Sequence, residues 1–178
     1  MIVPTRLTLV LLAAAVFPAW TAEPSADEYR VKGAFLLNFA RFVDWPPRAF
    51  KSPADPISIC ILGANPFGPV LEQAAHAALV ENRGVAVRQI AEPQQAGHCH
   101  IAFVSAAERK RSHALLDAVR GGNVLTVGEF DGFISGGGVI DFSVEESRVR
   151  IEIGTAAADR AGLHISAKLL SLAQAGKK

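Results

Sequence analysis

The chain has 178 residues, half of them hydrophobic, with 18 Lys and Arg set against 17 Asp and Glu. That balance argues against a nucleic-acid partner, which calls for a basic face. The length suits one domain with a substantial core.

Arg6 is the only charged residue before Glu23, and residues 7–17 (LTLVLLAAAVF) form an apolar run that Pro18 breaks. Small residues follow at Ala19, Thr21 and Ala22. A positive start, a short apolar run and a small-residue exit predict a cleaved secretory signal over residues 1–22, with residues 23–178 as the mature domain. The run is shorter than the roughly 20 apolar residues that span a bilayer. An uncleaved membrane anchor is the alternative. No Cys follows the run, so lipid attachment there is excluded. Loss of Arg6 leaves 17 cations and 17 anions. The expected location is the periplasm, where the chain's two cysteines, Cys60 and Cys99, read as a disulfide.

Residues 23–44 predict a helix. Asp27 and Glu28 suit its first turn, and Val31, Phe35, Phe39 and Phe42 form an apolar stripe. Such a stripe is ordinarily core, with a docking face as the alternative. Pro46 and Pro47 stop the helix after Trp45. Strands are expected at residues 57–62, 84–90, 99–105, 124–127, 139–142 and 149–153, the last two forming a hairpin. Helices are expected at residues 67–79, 106–119 and 155–173. The fold class that follows is α/β, a single domain with a mixed sheet of about six strands, flanking helices and a late β-hairpin.

Few motifs carry chemistry. The loop from Gly63 to Gly68 joins a strand to a helix, yet Pro69 and Val70 stand where a phosphate loop needs Lys-Ser or Lys-Thr. It reads as a plain turn. His98, Cys99 and His100 invite a metal reading, but a disulfide would remove the sulfur ligands. Ser105, Ser135 and Ser166 lack a hydrolase motif, and His76, His113 and His164 read as surface or filler residues. Gly136, Gly137 and Gly138 supply a turn or bulge. No catalytic residue, metal ligand or cofactor site is expected.

Several segments together resemble the YfiR family of periplasmic regulators. The first is residues 29–39 (YRVKGAFLLNF), followed by Phe42, Trp45 and Pro46. Then come residues 59–63 (ICILG) with Pro66, Phe67 and Gly68, and Cys99-His100 with Phe103. The late matches are residues 125–127 (LTV), Gly137-Gly138 with Ile140, and residues 165–170 (ISAKLL) with Leu172 and Ala173. Gly33 and Gly154 stand where the family usually has Ala and Asn, and a second cysteine pair found in some relatives is missing. The resemblance implies a repressor without chemistry of its own. It would bind the periplasmic sensor part of an inner-membrane diguanylate cyclase and lower cyclic-di-GMP synthesis. An outer-membrane lipoprotein would sequester it, and a homodimer is a further association to consider. The alternatives are a regulator of a membrane histidine kinase and a periplasmic small-molecule or metal-binding protein.

A repressor needs a recognition face, and the late hairpin offers one. Strict alternation along residues 148–153 places Val149, Ile151 and Ile153 on one side and Arg148, Arg150 and Glu152 on the other. If Ile140 and Phe142 flank Glu152, the face is apolar with a charged rim. Ile140, Arg150 and Glu152 are therefore the expected partner-binding residues. An ordinary solvated strand with cross-strand ion pairs is the competing expectation.

Overall fold

The computed structural model describes residues 25–175; the expected signal lies outside them. Helix α1 (Ala26–Phe42) starts where Ser25 Oγ accepts the Glu28 N–H at 3.1 Å, with Asp27 and Glu28 in the first turn. Leu36, Phe39 and Ala40 are its buried stripe, so most of the aromatic face is core. The chain leaves α1 directly into β1 (Val43–Asp44) and a short 3-10 turn (Pro47–Ala49).

The remaining elements follow in order. They are β2 (Ile57–Leu62), α2 (Pro69–His76), β3 (Leu79–Val80), β4 (Arg83–Ile90), β5 (Ile101–Val104), α3 (Ser112–Ala118) and β6 (Leu125–Gly128). Then come β7 (Ile140–Glu145), β8 (Arg148–Ile153), α4 (Thr155–Arg160), β9 (His164–Ile165) and α5 (Ala167–Ala175). Short 3-10 segments, Pro93–His98 and Ala106–Arg111, lie before β5 and α3.

Seven strands form one sheet in the order β3-β4-β2-β5-β6-β7-β8, and β1 pairs with β9 in a separate two-stranded ladder. Strands β4, β2, β5, β6 and β7 are parallel, and β3 and β8 close the edges antiparallel. All six expected strands are present. The additional ones, β1, β3 and β9, have two residues each and leave no periodic pattern to read. Ile59, Ile61, Phe103, Leu125 and Ile140 face one core, shared with Leu36 and Phe39 of α1, Leu71 of α2 and Leu169 of α5. Cys60, Leu62, Ala102 and Val104 face the second core, with Ala96 and Leu115. The alternation along β2 thus feeds layers on both faces.

Two expected helices are divided. Residues 106–119 begin as a 3-10 turn before α3. Residues 155–173 do not form one helix, because Gly162 takes φ +65° and turns the chain into β9 before α5 begins. Gly162 N–H bonds to Asp159 and Leu163 N–H to Ala158, closing α4 with its own carbonyls.

Gly33 sits inside α1, where glycine is about 0.5–1 kcal/mol worse than alanine. A Cβ there would meet Phe67 at 3.5 Å and Leu71 at 3.6 Å, ordinary contact distances. Gly33→Ala should therefore raise stability by roughly 0.5–1 kcal/mol in urea melts. Gly154 is different: a Cβ would lie 3.0 Å from the Gly138 carbonyl oxygen and 3.2 Å from Ile134. The crowding there favours glycine over any residue with a side chain.

Candidate functional site

In doubly wound sheets, ligands settle beyond the carboxyl ends of the parallel strands. Here that end is filled by the protein's own side chains. Gly63 has φ +75°, and the Glu108 carboxylate lies 2.1 Å from where its Cβ would be. Glu108 in turn pairs with Arg111 at 3.2 Å. Asn65 accepts the Phe67 N–H at 2.9 Å, and Phe67 packs edge-on against Phe103 and Tyr29. The turn reading of this loop agrees with a carboxylate resting where a phosphate would sit.

Beside it, Glu129 follows β6 and is almost wholly buried. One oxygen accepts from the Tyr29 hydroxyl at 2.9 Å and the Ala106 N–H at 3.1 Å; the other meets Lys32 Nζ at 2.6 Å. Lys32 also pairs with Glu28 at 2.5 Å and is only 3 % exposed. This ion-pair network bolts α1 to the sheet. The sequence signal for it is a lysine set beside the apolar stripe of α1, one turn before Leu36.

At the opposite end of the strands, the metal reading dissolves in geometry. His98 is exposed at the end of its 3-10 segment, and His100 is buried. His100 Nδ1 accepts the Ser58 N–H at 3.1 Å, and Nε2 lies 3.1 Å from the Ala49 carbonyl, which assigns the Nε2–H tautomer. Its ring stacks on Phe50 at 4.5 Å, with Trp45 edge-on at 6.0 Å. Burial pushes its pKa below the usual histidine value, so the ring is held neutral. The Cys60–Cys99 disulfide is formed, with Cα atoms 6.0 Å apart. Cys60 is in β2, whereas Cys99 precedes β5 rather than opening it.

The β7–β8 register decides the fate of the expected partner face. Ile140 pairs with Ile153, Asp141 with Glu152, Phe142 with Ile151 and Ser143 with Arg150. Ile140 and Phe142 therefore turn into the core, where Ile140 is fully buried and Phe142 stacks on Phe39 at 5.8 Å. This corrects the expectation that Ile140 flanks Glu152. An alternating strand has two faces, and register with β8 put Ile140 on the inner one. The outer face carries Asp141, Ser143 and Glu145 against Glu152, Arg150 and Arg148. Arg150 is half-buried, and its Nε is buried without a hydrogen-bond partner among the described residues.

Asp141 is the unusual member of this face. It is 9 % exposed and accepts the Phe130 N–H at 3.1 Å. Burial pushes its pKa up to about 6, and the negative charges of Glu152 and Asp131 add to the rise against the pull of Lys32. The folded state thus holds a proton that the unfolded chain has already released. The stabilisation is complete below the unfolded value of 3.8 and is lost as pH rises through about 6. Asp141→Asn keeps the acceptor and removes the charge. It should stabilise the protein by about 2–3 kcal/mol at about pH 7.5, with the gain vanishing near about pH 4 in paired thermal melts. Equal effects at both pH values would refute the account.

Among the described residues no helix is long and apolar enough to cross a membrane. No curated protein matches the chain significantly. A known family does match, across residues 29–174, from Tyr29 of the buried network to the last turn of α5. By that match, which spans both cores and both ends of the sheet, the chain belongs to the YfiR/HmsC-like family.

Proposed function

We propose that the protein is a periplasmic negative regulator that binds the periplasmic sensor part of an inner-membrane diguanylate cyclase and represses cyclic-di-GMP synthesis. The family match over residues 29–174 carries this reading. An outer-membrane lipoprotein competing for the regulator would relieve the repression. The filled strand ends agree with a protein that acts by contact.

The outer face of β7–β8 supports a contact surface. Glu152 and Arg150 stand beside each other on it, with Asp141 across from Glu152 in register. An arginine with a buried donor unmet among the described residues is suited to meet an acceptor on a partner. Ile140 contributes only by fixing the strand from below.

Deleting the gene should raise cellular cyclic-di-GMP, and the mature chain should co-purify with the cyclase. Unchanged cyclic-di-GMP would refute the reading, and capture of a histidine kinase instead would redirect it. Glu152→Lys and Arg150→Glu should each weaken binding by roughly tenfold or more, with cooperative melts showing that both variants fold. Full binding by both variants would move the interface to another face.

A further inference from the structure

The end of the sheet away from the filled crevice holds a cavity of about 480 Å³, bordered by Arg48, Lys51, Asp55, Arg88, His98 and Asn123. That volume falls within the range of small-ligand pockets. Its wall includes Cys99 of the disulfide and the buried His100.

The charges on this wall are unusual in what they lack. None of Arg48, Lys51 and Arg88 takes part in an ion pair among the described residues. Arg48 Nε donates to the Asn123 side-chain oxygen at 3.1 Å. Asn123 is itself fixed by the Ala161 carbonyl at 2.6 Å. Arg88 donates through Nε to Cys60 Sγ at 3.1 Å and through Nη2 to the His98 carbonyl at 2.7 Å. Both guanidinium groups are therefore held in place by neutral acceptors, and neither is neutralised.

Asp55 is the one carboxylate on the wall, and its oxygens are taken. Oδ2 accepts from the Lys51 and Ser52 N–H groups at 2.7 and 3.0 Å, and Oδ1 from the Ser52 hydroxyl at 2.8 Å. The loop that carries Arg48 and Lys51 is stiffened from behind. Phe50 lies between the Arg83 guanidinium, 3.8 Å from its ring, and the His100 ring. Arg83 also donates to the Ser52 and Asp55 carbonyls at 3.0 and 2.9 Å. Three cations against one committed carboxylate leave a formal charge of +2 on the cavity wall.

We infer that this cavity is a binding site for a small dianionic oxyanion, a phosphate or phosphomonoester, held by Arg48, Lys51 and Arg88. Fixed guanidinium forks match tetrahedral oxyanions in charge and in donor geometry. A dianion brings the wall to neutrality. The site lies on the 47–56 loop and the entry to β5, apart from the β7–β8 face, so it does not depend on the regulatory reading.

The test is isothermal titration of the mature, oxidised chain at low ionic strength with inorganic phosphate and with glycerol 3-phosphate. Sodium chloride of matched ionic strength is the control. Saturable binding of phosphate at millimolar concentration or tighter is expected, above the chloride control. Arg48→Met and Lys51→Met should each weaken it by roughly tenfold. Among the described residues the Lys51 side chain makes no hydrogen bond or ion pair, so its variant should keep the wild-type melt. Tighter binding of glycerol 3-phosphate assigns the site to a phosphomonoester, and equal or weaker binding assigns it to free phosphate. Absence of saturable binding by either probe, or binding unchanged in both variants, would overturn the assignment.

Discussion

Replacing the buried Lys32 with Met should cost about 3–5 kcal/mol. The ammonium group bridges Glu28 and Glu129, and the Glu129 side chain is only 2 % exposed. Removing the cation leaves that carboxylate buried with only the Tyr29 hydroxyl and the Ala106 N–H to hold it. Desolvation of an unpaired charge, rather than the lost pair itself, sets the size of the effect. For a domain of this size the melting temperature should fall by roughly 10 °C. Lys32→Met combined with Glu129→Gln should be more stable than Lys32→Met alone, because the amide keeps the acceptor and removes the stranded charge. A single variant within about 1 kcal/mol of wild type would show that water reaches the pair.

The second large effect is at the disulfide. Cys60 and Cys99 are 39 residues apart in sequence. Chain entropy for a loop of that length gives about 4 kcal/mol, and native bonds of this kind contribute about 2–5 kcal/mol. Cys60→Ser and Cys99→Ser should each lose a similar amount. The double variant should be little worse than either, because the first change already opens the loop. Reduced wild type should melt with the double variant. Free-thiol labelling of native, oxidised protein at both positions would refute the bond. Cys60 Sγ also accepts from Arg88, so these variants loosen one wall of the cationic cavity as well.

How far the sequence could be read varies with the length of the signal. Residues 57–62 announce β2 at its full extent because six apolar or small residues sit between turn formers. The bond between Cys60 and Cys99 was legible from the cysteine count and the expectation of export. The end of α4 was marked by Gly162, but the helix-favouring alanines before it and the leucines after it hid the break. Ile140 shows a different limit. Alternation gives two faces without naming the inner one, and only pairing with β8 and the packing of Phe142, on the same face, against Phe39 and Phe35 settles it. His100 needed three partners from distant segments, Ser58, Ala49 and Phe50, before its role could be seen. Lys32 and Glu129 are 97 residues apart, and no local pattern connects them.

The β1–β9 ladder bears on the order of assembly. Val43 pairs with Ile165 and Asp44 with His164, and the Ser166 N–H bonds to the Phe42 carbonyl. These contacts join the exit of the first helix to the entry of the last. Closing so long a loop is slow, and its entropy is offset only after the intervening sheet has formed. A chain delivered from its N-terminus presents the apolar stripe of α1 first. Phe39 finds Phe142 only when β7 arrives, and β1 finds its strand partner later still. The face of the aromatic helix that meets β7 therefore waits uncovered through most of the chain's delivery, and that interval exposes the protein to aggregation before the fold is complete.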